Sequence, residues 1–227
     1  ILNNYSEAEI EIRILDLANL KSVNDFTDKM RTDFNRIDIL INNAGVMAIP
    51  KSKTKDGFEM QFGTNHLGHF ALTARLCILL KNTKGSRIVN ISSIAAQKGE
   101  INFDDIMNDK NYQRMEVYRQ SKLANLMFSL ELNERLMHSK HEAIAIAAHP
   151  GVSDTELFTN MKPGIFLKLL GKMLMPVVTQ PAAKGALPQL YAATSPDAEA
   201  GGYYGPDGKR EFKGYPKEAF IPEAAKD

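Results

Sequence analysis

The sequence predicts an α/β fold in which a parallel sheet is doubly wound, with helices on both faces. Strand-like and helix-like segments alternate in regular order along the 227 residues. The strand-like segments are near-continuous runs of Ile, Val, Leu and Ala, as strands buried on both faces require. Each run also ends in small or polar residues, and in an open α/β sheet the carboxyl ends of the strands are where ligands sit.

Taken in order, "EIEIRILDL" (9–17) alternates apolar and charged residues and predicts a strand. Val23, Phe26, Met30 and Phe34 then fall at helical spacing. "IDILINNAG" (37–45) reads as a strand entering a glycine turn, and "FEMQFGTNHLGHFALTARLCILL" (58–80) as a helix. "SRIVNISS" (86–93) and "AIAIAAHPG" (143–151) read as strands around the helix "VYRQSKLANLMFSLELNERLM" (117–137). "QPAAKGALPQLYAAT" (180–194) predicts one more helix, and the Gly/Pro-rich end, 200–227, predicts turns that close the domain. A single domain over 1–227 is expected, since 44% hydrophobic residues suffice for one core and no internal repeat divides the chain.

Composition removes several function classes. With 28 basic against 27 acidic side chains, scattered rather than blocked, there is no electrostatic footprint for nucleic acid. Cys77 stands alone and can form no intramolecular disulfide, which suits a reducing, cytoplasmic setting. No apolar run reaches membrane-spanning length; the longest candidate, 164–178, is broken by Lys168 and Lys172. No metal site is expected, because His66 and His69 lack matching ligands at metal-binding spacing. "NIS" at Asn90 matches a glycosylation acceptor but lies inside a strand that reads as buried.

The strand ends place Asp16, "NNAG" (42–45), "SS" (92–93) and "HPG" (149–151) along one edge. Tyr118 and Lys122, at i and i+4 of the helix after "SS", point off one helix face. A neighbouring tyrosine and lysine on a surface would show the same spacing. A tyrosine working as acid/base near neutrality needs its pKa lowered by ~3 units, about 4 kcal/mol. A nearby ammonium can supply about that much in a partly sheltered site.

"NNAG", "TNHLGHF" (64–70), "IVNISS" (88–93), "YRQSK" (118–122) and "HPG", in that order, resemble the motif series of the short-chain dehydrogenase/reductase family. The resemblance covers nearly the whole chain and implies a nicotinamide-dependent oxidoreductase on a Rossmann-type sheet. It makes Tyr118 the general acid/base, and gives Lys122 two tasks: lowering the Tyr118 pKa and holding the nicotinamide ribose. Ser93, rather than Ser92, would orient the substrate oxygen, and Asn65 would hold a water leading from Lys122 toward solvent. Asp16 would accept from the adenine amino group, and Asn42, Ala44 and Gly45 would line the adenosine side. Pro150, Gly151, Val152 and Thr155 resemble the loop that grips the carboxamide and phosphates.

An insertion, "GEINFDDIMNDKNYQRME" (99–116), together with "HPGVSDTEL", is similar to the retinol-dehydrogenase-like branch. That likeness implies an apolar alcohol or carbonyl substrate and NADP, with NAD still open. Residues 166–178 would then form an apolar lid, or equally a core or dimer-packing helix; a homo-oligomer is left open. The family's glycine-rich phosphate loop is not found in the chain, and the resemblance begins at the third strand. The expectation is therefore an N-terminally incomplete domain lacking strands 1 and 2, unable as numbered to fold stably or bind NAD(P). A cofactor-free interaction or regulatory module on the same scaffold is the alternative.

Overall fold

The computed structural model describes residues 7–154 and 179–226. Its main sheet has five strands in the order β1 (Ile39–Asn42), β2 (Arg87–Ile91), β3 (Ile144–Ala148), β6 (Tyr203–Pro206) and β7 (Pro216–Glu218). Pairing is parallel from β1 to β6, in register Ile41 to Val89 to Ile146, and β7 closes the edge antiparallel. A small parallel pair, β4 (Ser153–Asp154) with β5 (Gln180–Pro181), lies beyond the β3 end. The expected doubly wound α/β architecture is therefore present.

The alternating faces of β2 and β3 organise two layers. Ile88 and Ala145 pack with Leu72, Leu76, Leu79 and Leu80 of α3 (Gly68–Lys81), Leu136 of α4 (Arg114–His138) and Val23 of α1 (Leu20–Asp33). Val89 and Ile146 face the other way, onto Ala192 and Ala193 of α6 (Leu187–Thr194). Successive strand residues point to opposite faces, so a strand covered by helices on both sides has to be apolar throughout. α1 starts on Asn19, whose side chain accepts from Lys21 N, a standard N-cap that satisfies an otherwise orphan amide.

Four expectations need correction. Residues 9–17 form no strand: Ile12 and Ile14 are more than nine-tenths exposed. Alternation specifies a strand only where a neighbour supplies ladder partners and a face to cover, and no described element pairs with this segment. The helix expected over 58–80 is interrupted by a π-helical turn, Gly63–Leu67, between α2 (Met60–Phe62) and α3. The Gly/Pro-rich end contains β6 and β7, because Tyr203 and Tyr204 bury against β3 despite the flanking glycines. The segment 180–194 also opens with β5 and a short turn of helix, α5 (Ala182–Gly185), before α6. The proposed lid, 166–178, lies outside the described residues.

Gly68 at the head of α3 sits against the turn that carries Asp16, where an added Cβ would lie 2.5 Å from Leu17 O. Helix propensity alone would have Gly68→Ala stabilise by about 1 kcal/mol, but the backbone contact reverses the sign. Chemical denaturation should show Gly68→Ala destabilised by about 1–3 kcal/mol, the usual range for overpacking; a stabilised variant would remove this contact from the account.

Candidate active site

The ends of β1, β2 and β3 and the first turns of α4 border a cavity of about 740 Å³. Asn43, Ala44 and Gly45 line one side, Ser92 and Ser93 the middle, and Pro150, Gly151 and Val152 the far side. Tyr118 and Lys122 project into it from α4, as their i, i+4 spacing requires. Met47, Ala95, Met115, Ala186 and Gln189 complete a largely apolar wall.

Tyr118 is 6% exposed, and its hydroxyl faces the Ser93 hydroxyl across the cavity lining. Burial pushes its pKa up, and the neighbouring Ser93 hydroxyl pulls it back only part of the way. The expectation that Lys122 depresses the phenol is thus corrected. The Lys122 ammonium stands 6.0 Å from the Tyr118 ring centroid and donates instead to Ile91 O at 3.0 Å. Enclosed, with a neutral carbonyl as its hydrogen-bond acceptor, it is itself pushed down to about 8 by desolvation.

The two serines stand in different surroundings. Ser92 is buried and donates to Lys122 O at 2.7 Å, so its hydroxyl ties β2 to α4. Ser93 caps the 3₁₀ turn Ile94–Lys98, accepting from Ala95 N at 3.2 Å, and faces Tyr118. Asn65, in the π-turn, has its side chain occupied by protein: Nδ2 donates to Val46 O and Ser121 Oγ, and Oδ1 accepts from Val46 N. It therefore clamps the loop after β1; the side chain has no donor left over for a water. Gly45 passes so close that an added Cβ would lie 3.0 Å from Asn65 Oδ1 and 3.6 Å from Lys122 Nζ.

Two expected cofactor residues lie elsewhere. Asn42 is buried and does not border the cavity: Nδ2 donates to Thr73 Oγ1 and Asn90 Oδ1, each at 2.8 Å, bracing the sheet against α3. As the last residue of β1 its side chain points into the core; the following residue, Asn43, reaches the cavity. Asp16 is exposed and accepts from Ala18 N at 2.9 Å, within the turn before α1, away from the cavity. Thr155 lies outside the described residues. Sequence reading missed Asn43, Met47, Met115 and Gln189. Met115 belongs to the insertion, whose Tyr112 donates to Ile49 O at 3.1 Å and so packs it on the loop after β1; methionines within and beside the motifs were the available signal.

His66 and His69 are packed groups. His69 Nδ1 donates to Asn65 O at 2.8 Å and burial lowers its pKa to about 4, while His66 bonds Asn125 and lies among Phe62, Phe70 and Phe128. Among the described residues, no cluster of three or more His, Cys, Asp or Glu could hold a metal, and no helix is long and apolar enough to cross a membrane.

A family model for short chain dehydrogenases matches residues 2–165. The chain belongs to the short-chain dehydrogenase family. Within it, human retinol dehydrogenase 14 is 42% identical over 199 residues, 87% of this chain and 59% of that protein. Human retinol dehydrogenase 13 is 43% identical over 220 residues, 95% of this chain and 63% of that protein. These relatives place the chain in the retinol-dehydrogenase-like branch, and it spans about three fifths of their length. Among solved structures, an uncharacterised protein of Mycobacterium paratuberculosis superposes with a TM-score of 0.76 at 39% identity, covering 97% of this chain and 70% of that one. A short-chain dehydrogenase of Burkholderia cenocepacia in complex with NADP shares the fold, with a TM-score of 0.62 at 20% identity, over 89% of this chain and 76% of that one.

The short-chain dehydrogenase site has a charge cost that can be measured. The Lys122 pKa is depressed from 10.5 to about 8, so between those values the unfolded chain holds one more proton than the folded one. Stability from this group therefore rises with pH across the window and is lowest below its lower end. Ile91 O retains Asn125 Nδ2 as a donor if the amine is removed. Lys122→Met should thus be more stable than wild type at neutral pH, by at most about 3 kcal/mol, with the advantage shrinking as pH rises toward 10.5. Denaturation at matched pH values checks this; a less stable Met variant at neutral pH would contradict it.

Proposed function

We propose that this protein is an NADP-dependent oxidoreductase that interconverts an apolar alcohol and the corresponding carbonyl compound, with Tyr118 as general acid/base. The observation that carries the reading is the convergence of the Ser93 hydroxyl, the Tyr118 phenol and the Lys122 amine on one apolar cavity, with Lys122 held by Ile91 O. The residues present suit a dinucleotide: a close-approach glycine at Gly45, a positive-φ glycine at Gly151, and an amine with donor capacity beyond Ile91. When bound, the nicotinamide supplies or accepts the hydride. Ser93 orients the substrate oxygen, and Tyr118 gives that oxygen its proton during reduction or takes it during oxidation. Lys122 holds the ribose, with Ala44, Gly45, Pro150, Gly151 and Val152 around the cofactor. Met47, Met115 and Ala186 favour an apolar substrate, and the relatives' name, retinol dehydrogenase, agrees. The lone Cys77 supports a reducing, cytoplasmic setting.

Tyr118→Phe should abolish turnover, by at least about a hundredfold, and leave NADPH affinity within about twofold, read by nicotinamide fluorescence with NADH as the parallel arm. Substantial residual turnover would sink the assignment. Because burial raises the Tyr118 pKa, the phenol stays protonated through neutral pH. Single-turnover carbonyl reduction should hold level there and decline only in the alkaline range, whereas oxidation, which needs the phenolate, should rise with pH. A reduction rate already falling below neutrality would contradict the raised pKa.

A further inference from the structure

A second polar constellation joins two elements that border the cavity, the Pro150–Val152 turn and the turn that Ser93 caps, through a third element behind them. His149, the last residue before the Pro150–Gly151 turn, is fully buried, and its Nδ1 accepts from Gly151 N at 3.2 Å. With Nδ1 accepting, Nε2 carries the proton and donates to Glu211 Oε2 at 3.1 Å. The same carboxylate oxygen accepts from Gln97 Nε2 at 2.9 Å, and Oε1 accepts from Phe220 N at 2.8 Å. Gln97 belongs to the 3₁₀ turn that Ser93 caps. Glu211 therefore reaches the cofactor-side turn through His149 and the substrate-side serine through Gln97.

The backbone is adapted to this arrangement. Arg210 and Glu211 both have φ of 56°, a left-handed conformation that non-glycine residues adopt only when their surroundings enforce it, and one that clusters at functional sites. Val152 N donates to Phe212 O at 2.7 Å, and an added Cβ on Gly151 would meet Phe212 O at 2.3 Å. Gly205 of β6 makes room for the imidazole, since a Cβ there would lie 2.0 Å from His149 Nε2. A carboxylate needed only to close a hairpin would not require a buried imidazole and a glutamine converging on one oxygen.

We propose that Glu211 is a positioning residue that holds the Pro150–Val152 turn and the Ser93 turn at a fixed separation across the cavity. The proposal deepens the oxidoreductase reading above and rests on it for its kinetic arm. Two variants separate the two connections. Glu211→Leu removes every acceptor at similar volume: the Gly151 amide should exchange with solvent faster, and the Kd for NADPH should rise about tenfold, short of the hundredfold that an ångström of misplacement can cost. Gln97→Met severs only the Ser93 arm: kcat should fall about tenfold while the Kd for NADPH stays within about twofold. A Glu211→Leu protein with unchanged cofactor Kd overturns the proposal, as does a Gln97→Met protein with unchanged kcat. Should Glu211→Leu fail to fold, the kcat-against-Kd split in Gln97→Met decides alone. Amide exchange needs no cofactor, so a full-length wild type that binds no NADPH would overturn the oxidoreductase reading, whereas a Gly151 amide indifferent to Glu211→Leu would overturn this one.

Discussion

The enclosed amine of Lys122 is the constraint around which the site is arranged. An ammonium removed from water is tolerated only with hydrogen bonds to replace its hydration, and the replacement here is the carbonyl at the end of β2, Ile91 O. That bond fixes where α4 crosses the sheet, and hence where Tyr118, one turn earlier, meets Ser93. Ser92 locks the same crossing from the other side by donating to Lys122 O. The loop after β1 must then come close, which requires glycine at 45, and Asn65 clamps that loop through Val46.

Burial acts in opposite senses on the two titratable groups: it raises the phenol and lowers the amine. Both shifts disfavour charge, so the site resists being ionised, and each charged form has to be stabilised by whatever the cavity admits. A site of this kind is a cost to the fold and an asset to chemistry, the usual trade between stability and activity. The left-handed backbone at Arg210 and Glu211, behind the Pro150–Val152 turn, is a second such local cost.

Much of this was legible in the sequence because period and order are strong signals. Ile/Val/Ala runs at 88–91 and 144–148 can only be strands covered on both faces, and the i, i+4 spacing of Tyr118 and Lys122 fixed their common direction. Three-dimensional partners were not legible. The alternation in 9–17 specified a strand without showing what would pair with it, and Asn42 was assigned to the wrong side because a single residue of register decides between core and cavity. The pKa direction of Tyr118 failed likewise: spacing brought the amine near but said nothing of Ile91 O, to which it turned. Glu211 and His149 lie 62 positions apart, and only the folding of β6 and β7 onto β3 joins them.

The charge state of the enclosed amine is the most direct test of this account. Carbon NMR of Cε-labelled lysine in the free protein, with Lys122→Met to assign the resonance, would follow its titration alone. The account predicts a Lys122 midpoint near pH 8, well apart from the remaining lysines. A midpoint at the ordinary value of 10.5 would mean that the amine is hydrated, and that the crossing of α4 over Ile91 O does not organise the site as described.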